Sequence, residues 1–165
     1  MTIHYHRDVQ APFGPLRIVA TRDAILAIHF EHSRDKIASQ AEPAHDVLDV
    51  AEAQLNDYFS GTRTVFDFPL RPDGTDFQRA VYRELLTIVF GETCSYSDIA
   101  RAVGRPDAVR AVGAANGQNP IPIVIPCHRV IGKNGSLTGY GGGIETKRWL
   151  LDHEKPSLFR TALHQ

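Results

Sequence analysis

Residues 95–115 read Ser-Tyr-Ser-Asp-Ile-Ala-Arg-Ala-Val-Gly-Arg-Pro-Asp-Ala-Val-Arg-Ala-Val-Gly-Ala-Ala, and this stretch decides the reading of the fold. Ser95 with Asp98 three residues on makes a capping-box-like helix start, Asp replacing the usual Glu or Gln. Ile99, Ala100 and Val103 supply the apolar side, and Gly104-Arg-Pro106 ends the segment. A second helix is expected from about Asp107 to Ala115, carrying Ala108, Val109, Ala111, Val112, Ala114 and Ala115, with Arg110 as its one basic residue. Two short helices around a glycine turn suggest a helix-turn-helix. The alanines and Gly113 would let that second helix approach a surface closely, where a purely structural helix more often presents Leu or Ile. An ordinary solvated arginine is the plain alternative for Arg110.

Upstream, Asp76 to Val89 places Phe77, Ala80, Val81, Leu85 and Ile88 on one face, with Asp76 suited to the helix dipole, which predicts a core helix. The cluster from Pro69 through Gly74 separates this helical run from what precedes it. Two domains are therefore expected, 1–74 and 75–165. In the first, residues 3–8, 16–20 and 24–30 have strand composition, and the short breaks between them favour antiparallel pairing. Between Ala44 and Phe59, Val47, Leu48, Val50, Ala51, Leu55 and Tyr58 recur at helical spacing, with Gly61 as a stop. The fold class is α/β: a small amino-terminal mixed α/β domain plus a mainly helical carboxy-terminal domain with the helix-turn-helix.

The chain has 165 residues, 42% hydrophobic and 22% charged, which fits a globular protein and excludes disorder, collagen and coiled coil. No apolar run approaches the roughly 18 residues of a membrane span, and the amino-terminal residues carry no secretory h-region, so the expectation is a cytoplasmic protein without a membrane partner. The net charge of -1 divides unevenly. Residues 1–74 hold seven basic against eleven acidic side chains and 75–165 hold eleven against eight, so the second half suits a polyanion, although chance gives the same at this size. Cys94 and Cys127 are too few and too far apart for a disulfide scaffold or a Cys-x-x-Cys metal pair. No metal and no cofactor is expected.

The chemistry concentrates in Asn119-Pro-Ile-Pro-Ile-Val-Ile-Pro-Cys-His-Arg-Val-Ile131. Ile121 to Ile125 read as a buried extended segment, stiffened by Pro120, Pro122 and Pro126, that holds Cys127 in a fixed place. His128 and Arg129 follow. For an arbitrary cytosolic cysteine, an inert buried side chain would be the better reading.

The run Pro126-Cys-His-Arg-Val130, preceded by Asn119-Pro120, resembles the active-site signature of the O6-alkylguanine-DNA alkyltransferases, also called methylated-DNA-protein-cysteine methyltransferases. The likeness extends through Gly91-Glu-Thr-Cys-Ser-Tyr96, Arg110-Ala-Val-Gly113, Gly139-Tyr-Gly-Gly-Gly143 and Lys147-Arg-Trp-Leu-Leu-Asp-His-Glu154. It covers most of residues 75–154 in order and spacing, whereas 1–74 match only in outline. The resemblance implies a ribonuclease H-like arrangement for the first domain. It also implies DNA repair by direct, stoichiometric transfer of an alkyl group from O6-alkylguanine in double-stranded DNA to Cys127, each molecule reacting once.

A thiolate is the nucleophile such a displacement needs, and its formation calls for a base or a positive field nearby. In an extended segment Cys127 and His128 would point to opposite sides, so a water is expected between them. The family relay then maps onto Glu154, His128, water and Cys127. Arg110 matches the arginine that fills the gap left by the flipped base, and Tyr96 the tyrosine that crowds the adjoining phosphate and aids the leaving guanine. The resemblance implies minor-groove entry by the small-residue helix, with weak sequence readout and backbone contacts from Gln78, Ser97, Arg105 and Lys133. Each of these four could equally be an ordinary solvated side chain. Tyr140, Gly141, Val130 and Asn119 are expected at the base pocket, Gly141 standing where some relatives carry serine. A monomer is expected, with cooperative binding on DNA left open. The alternatives are an alkyltransferase-like damage sensor, whose relatives lack the cysteine; a cysteine hydrolase using Cys127, His128 and Glu154; and a transcription regulator. Cys94 reads as a small side chain filling the helix start rather than a reactive thiol.

Overall fold

The computed structural model describes residues 2–156, so Met1 and the end of the expected second domain, 157–165, lie outside the described residues. The chain divides into two compact units, one ending at Asp73 and the other starting at Gly74.

In the first unit β1 (Tyr5–Ala11), β2 (Gly14–Ala20) and β3 (Ile25–Phe30) form an antiparallel meander, in register from Tyr5 opposite Ala20 to Ala11 opposite Gly14. β1 runs three residues beyond the expected end at Asp8. The hairpin loop is only Pro12–Phe13: Gly14 turns the chain at φ +130°, and Pro15 already lies in β2. A two-residue strand, β4 (Gln40–Ala41), pairs in parallel with β1, giving the order β3-β2-β1-β4 and departing from the all-antiparallel expectation. Helix α1 (Asp46–Phe59) packs Leu48, Ala51, Leu55 and Tyr58 against β1 and β2, in line with the apolar spacing. Its N-cap is a histidine: His45 Nδ1 accepts from the Leu48 N–H at 3.1 Å.

The second unit opens with α2 (Asp76–Leu85), started by a reciprocal capping box between Thr75 and Gln78. It ends four residues before the expected Val89, the chain continuing as single turns through Ile88. β5 (Cys94–Ser95) leads into α3 (Tyr96–Ala102), where Ser95 and Asp98 make the anticipated box. The stop is a Schellman arrangement around Gly104 at φ +77°: its N–H bonds Arg101 O and the Arg105 N–H bonds Ala100 O. Helix α4 (Val109–Gly117) begins two residues later than expected and packs on both α3 and α2, completing the helix-turn-helix.

The segment after α4 departs from expectation. Ile121 to Ile125 are buried but not extended; the chain folds back so that Ile125 N–H bonds Ile121 O at 2.9 Å, with Ile123 at φ +76°. For a β-branched residue that is a strained conformation, costing about 1–3 kcal/mol, which surrounding packing must hold. Cys127–Arg129 form one turn of 3₁₀ helix, β6 (Val130–Ile131) pairs in parallel with β5, and α5 (Ile144–Glu154) closes the described chain. Among the described residues no helix is long and apolar enough to cross a membrane.

Candidate active site

The 3₁₀ turn corrects the expected alternation of side chains, since Cys127, His128 and Arg129 project from a tight helix and all three are buried. His128 Nε2 lies 2.8 Å from Glu154 Oε2, so the last residue of α5 is a buried carboxylate and not an exposed helix-end acid. His128 Nδ1 is buried and has no hydrogen-bond partner among the described residues. Burial would raise the Glu154 pKa, but His128 and Arg129 overrule it and hold the carboxyl well below the usual carboxylate range. For His128, burial outweighs the Glu154 charge and lowers its pKa, so the ring is neutral near pH 7.

Burial also decides the state of the cysteine. The Cys127 thiol is pushed up to about 11; the Asn119 amide, the Lys147 charge and local backbone N–H groups offset only part of the effect. The positive field expected from the chemistry is therefore present yet insufficient, and the resting side chain is a thiol. Lys147, fully buried, donates from Nζ to Val130 O at 2.7 Å. The sequence alone assigns no role to Lys147 or Arg129. A buried cation is rare enough that burial is the signal, and burial cannot be read from residue type.

The backbone around Cys127 is tied down from several elements. Asn119 accepts from the Ile121 N–H at 3.0 Å and donates to Ile125 O at 2.8 Å, bracing the strained turn. Asn116, on the buried side of α4, donates to Cys127 O at 3.3 Å. The β5–β6 ladder sets Val130 beside Cys94, two residues before Tyr96. Cys94 is half-buried and its thiol is likewise pushed up to about 11, chiefly by burial. The Tyr96 hydroxyl pairs with the Thr138 hydroxyl. Tyr140 is half-buried with its hydroxyl shielded; burial, together with Cys127 and Glu154, pushes its pKa well above the usual phenol value. Gly141 is exposed, and a Cβ there would meet only open space.

Of the surface positions, Arg110 is exposed on α4 in one stripe with Ala111, Ala114 and Gly117, and Arg105 and Lys133 are exposed too. Ser97 is half-buried in the first turn of α3. Gln78 stands apart: its Oε1 accepts from the Thr75 N–H at 2.8 Å and its Nε2 donates to Gln118 at 2.6 Å, so its amide serves the cap of α2 and the tie to the residue after α4.

Comparison with known proteins bears on this arrangement. The model described as 6-O-methylguanine DNA methyltransferase, ribonuclease-like domain, matches residues 4–72, and that described as 6-O-methylguanine DNA methyltransferase, DNA binding domain, matches residues 76–156. The methylated-DNA–protein-cysteine methyltransferase of Mycobacterium tuberculosis (strain ATCC 25618 / H37Rv) is 48% identical over 93% of this chain and 93% of its own length. That of Methanosarcina barkeri is 42% identical over 93% of this chain and 99% of its own. The crystal structure of Mycobacterium tuberculosis OGT in complex with DNA superposes with a TM-score of 0.88 at 45% identity, covering 96% of each chain. Both halves of the chain, the sheet unit as well as the one that carries Cys127, thus find their counterparts in the same order, and the chain belongs to the 6-O-methylguanine DNA methyltransferase family.

Proposed function

We propose that this protein repairs O6-alkylguanine in double-stranded DNA by moving the alkyl group onto Cys127, once per molecule. The observation that carries the reading is the buried chain Glu154–His128 ending at a free ring nitrogen, beside a buried thiol. Because Cys127 rests protonated, its proton must leave as the reaction begins. His128 Nδ1 takes it through a shared water, and Glu154 stabilises the imidazolium formed. Cys127 Sγ then attacks the alkyl carbon; the S–C bond forms as the C–O6 bond breaks, and the electron pair departs with guanine. Tyr96, oriented by Thr138, supplies a proton to the leaving base and recovers one from solvent. The product is a thioether, which neither water nor thiol exchange cleaves.

The lesion reaches the thiol only if its nucleotide leaves the stack. The exposed stripe on α4 suits close approach to the minor groove, Arg110 filling the vacated space, with Tyr96, Ser97, Arg105 and Lys133 toward the backbone. Gln78 is left out of this set because its amide is engaged in the helix cap. Val130, Tyr140, Gly141 and Asn119 border the base, and the protein works in the cytoplasm as a monomer.

The test is intact-protein mass after incubation with a duplex holding one O6-methylguanine. A gain of roughly 14 Da on wild type, absent in Cys127→Ser and saturating at one group per chain, is expected. Tight selective binding with no mass gain would sink transfer in favour of a damage sensor.

A further inference from the structure

Arg129 follows the Cys-His pair and is buried with them. Its Nε and Nη2 donate to the two oxygens of Glu154 at 2.7 and 3.0 Å, its Nη1 donates to Ile88 O at 2.6 Å, and its guanidinium stands 5.8 Å from the centre of the Phe90 ring. Glu154 Oε2 is therefore shared: it receives Arg129 Nη2 and His128 Nε2 together. Sharing the carboxylate with a bidentate guanidinium weakens, without abolishing, the stabilisation Glu154 gives to a charged His128 ring.

The charges around His128 make the consequence definite. Glu154 and Lys147 face it from α5, Arg129 and Cys127 from its own turn, and Tyr140, neutral, interacts with Glu154 and Cys127. With Cys127 a thiol and His128 neutral, the ionised groups sum to one positive charge. Moving the Cys127 proton to His128 leaves that sum unchanged, whereas a proton from solvent would raise it to two in a buried site. From this geometry we infer that Arg129 is a positioning residue that reserves His128 for the cysteine's proton and so sets the lower pH limit of alkyl transfer. The inference rests on Cys127 being the alkyl acceptor. Burial and the Arg129 and Lys147 charges all act to lower the His128 pKa, in agreement.

The test is single-turnover transfer from an O6-methylguanine duplex between pH 5 and 9, for wild type, Arg129→Gln and Arg129→Lys. Removing the charge in Arg129→Gln should move the acid limb upward by about one pH unit. Arg129→Lys, which keeps the charge but not the fork, should be slower at every pH with the limb where wild type has it. Equal slowing of both variants with no movement of the limb would overturn the inference and leave Arg129 a structural tie. Should the glutamine variant not fold, the ring ¹⁵N shifts of His128, titrated in wild type and in Arg129→Met, decide: a higher His128 pKa in the variant supports the role, and an unchanged one overturns it. Failure of wild type to transfer at any pH would instead refute Cys127 as acceptor, and the His128 titration compared between wild type and variant would still test Arg129 alone.

Discussion

His128 is wholly buried, and its protonation links the site to stability. Folding lowers its pKa from an unfolded value of about 6.5, so below that pH the unfolded chain takes a proton that the folded one refuses. Its contribution is complete above about pH 6.5 and is lost progressively as the pH falls. The melting temperature should therefore drop between pH 7 and 5, and drop less steeply in His128→Asn. His6 and His29, whose pKa values burial also lowers, remain in both proteins and cancel in the comparison. Lys147→Met tests the other buried cation. It leaves the Val130 carbonyl without its donor, a loss of about 1–3 kcal/mol in chemical denaturation. It also removes a charge that restrains the Cys127 pKa, so thiol titration should shift upward from about 11.

At the scale of elements, α4 presents two different faces on opposite sides. Val112, Ala115 and Asn116 face inward, while Arg110, Ala111, Ala114 and Gly117 face solvent. Arg110 has no hydrogen bond or ion pair among the described residues, so Arg110→Ala should leave stability within about 0.5 kcal/mol of wild type. Transfer from duplex DNA should nonetheless slow by about two orders of magnitude, the equivalent of a few kcal/mol of unstacking, with little slowing on the free alkylated base. A rate equal to wild type on duplex would remove the arginine from base extrusion. Elements set by local chemistry were legible in advance: the Ser95–Asp98 box and the Gly104 stop involve residues three to five apart. Ile121 to Ile125 fold back where their composition suggests extension, because β-branched composition reports burial as much as extension, and three prolines that deny a ladder its donors fit a turn equally well. Glu154 was placed by the family motif, but its bond to Arg129 spans 25 residues, and nothing in either residue type announces that both are buried. The two-residue β4 and β5 were equally invisible, being made by their partners more than by their own composition.

For the molecule as a whole, alkylation enlarges a side chain in a close-packed site beside the strained Ile123 turn. The methylated protein should be less stable by about 1–3 kcal/mol, a fall of roughly 2–4 °C in melting temperature per kcal/mol. An unchanged or higher Tm, read by calorimetry on protein of confirmed mass, would show that the pocket has room to spare. The resting thiol has a further consequence for a protein that is spent on its first reaction. With its pKa at about 11, Cys127 is thiolate in only about one molecule in ten thousand at neutral pH. Iodoacetamide, peroxide and glutathione disulfide all consume thiolates, and the fold offers them almost none. The tertiary structure thus serves as a protecting group in the synthetic chemist's sense, keeping the reagent in stock until the proposed transfer to His128 removes its proton.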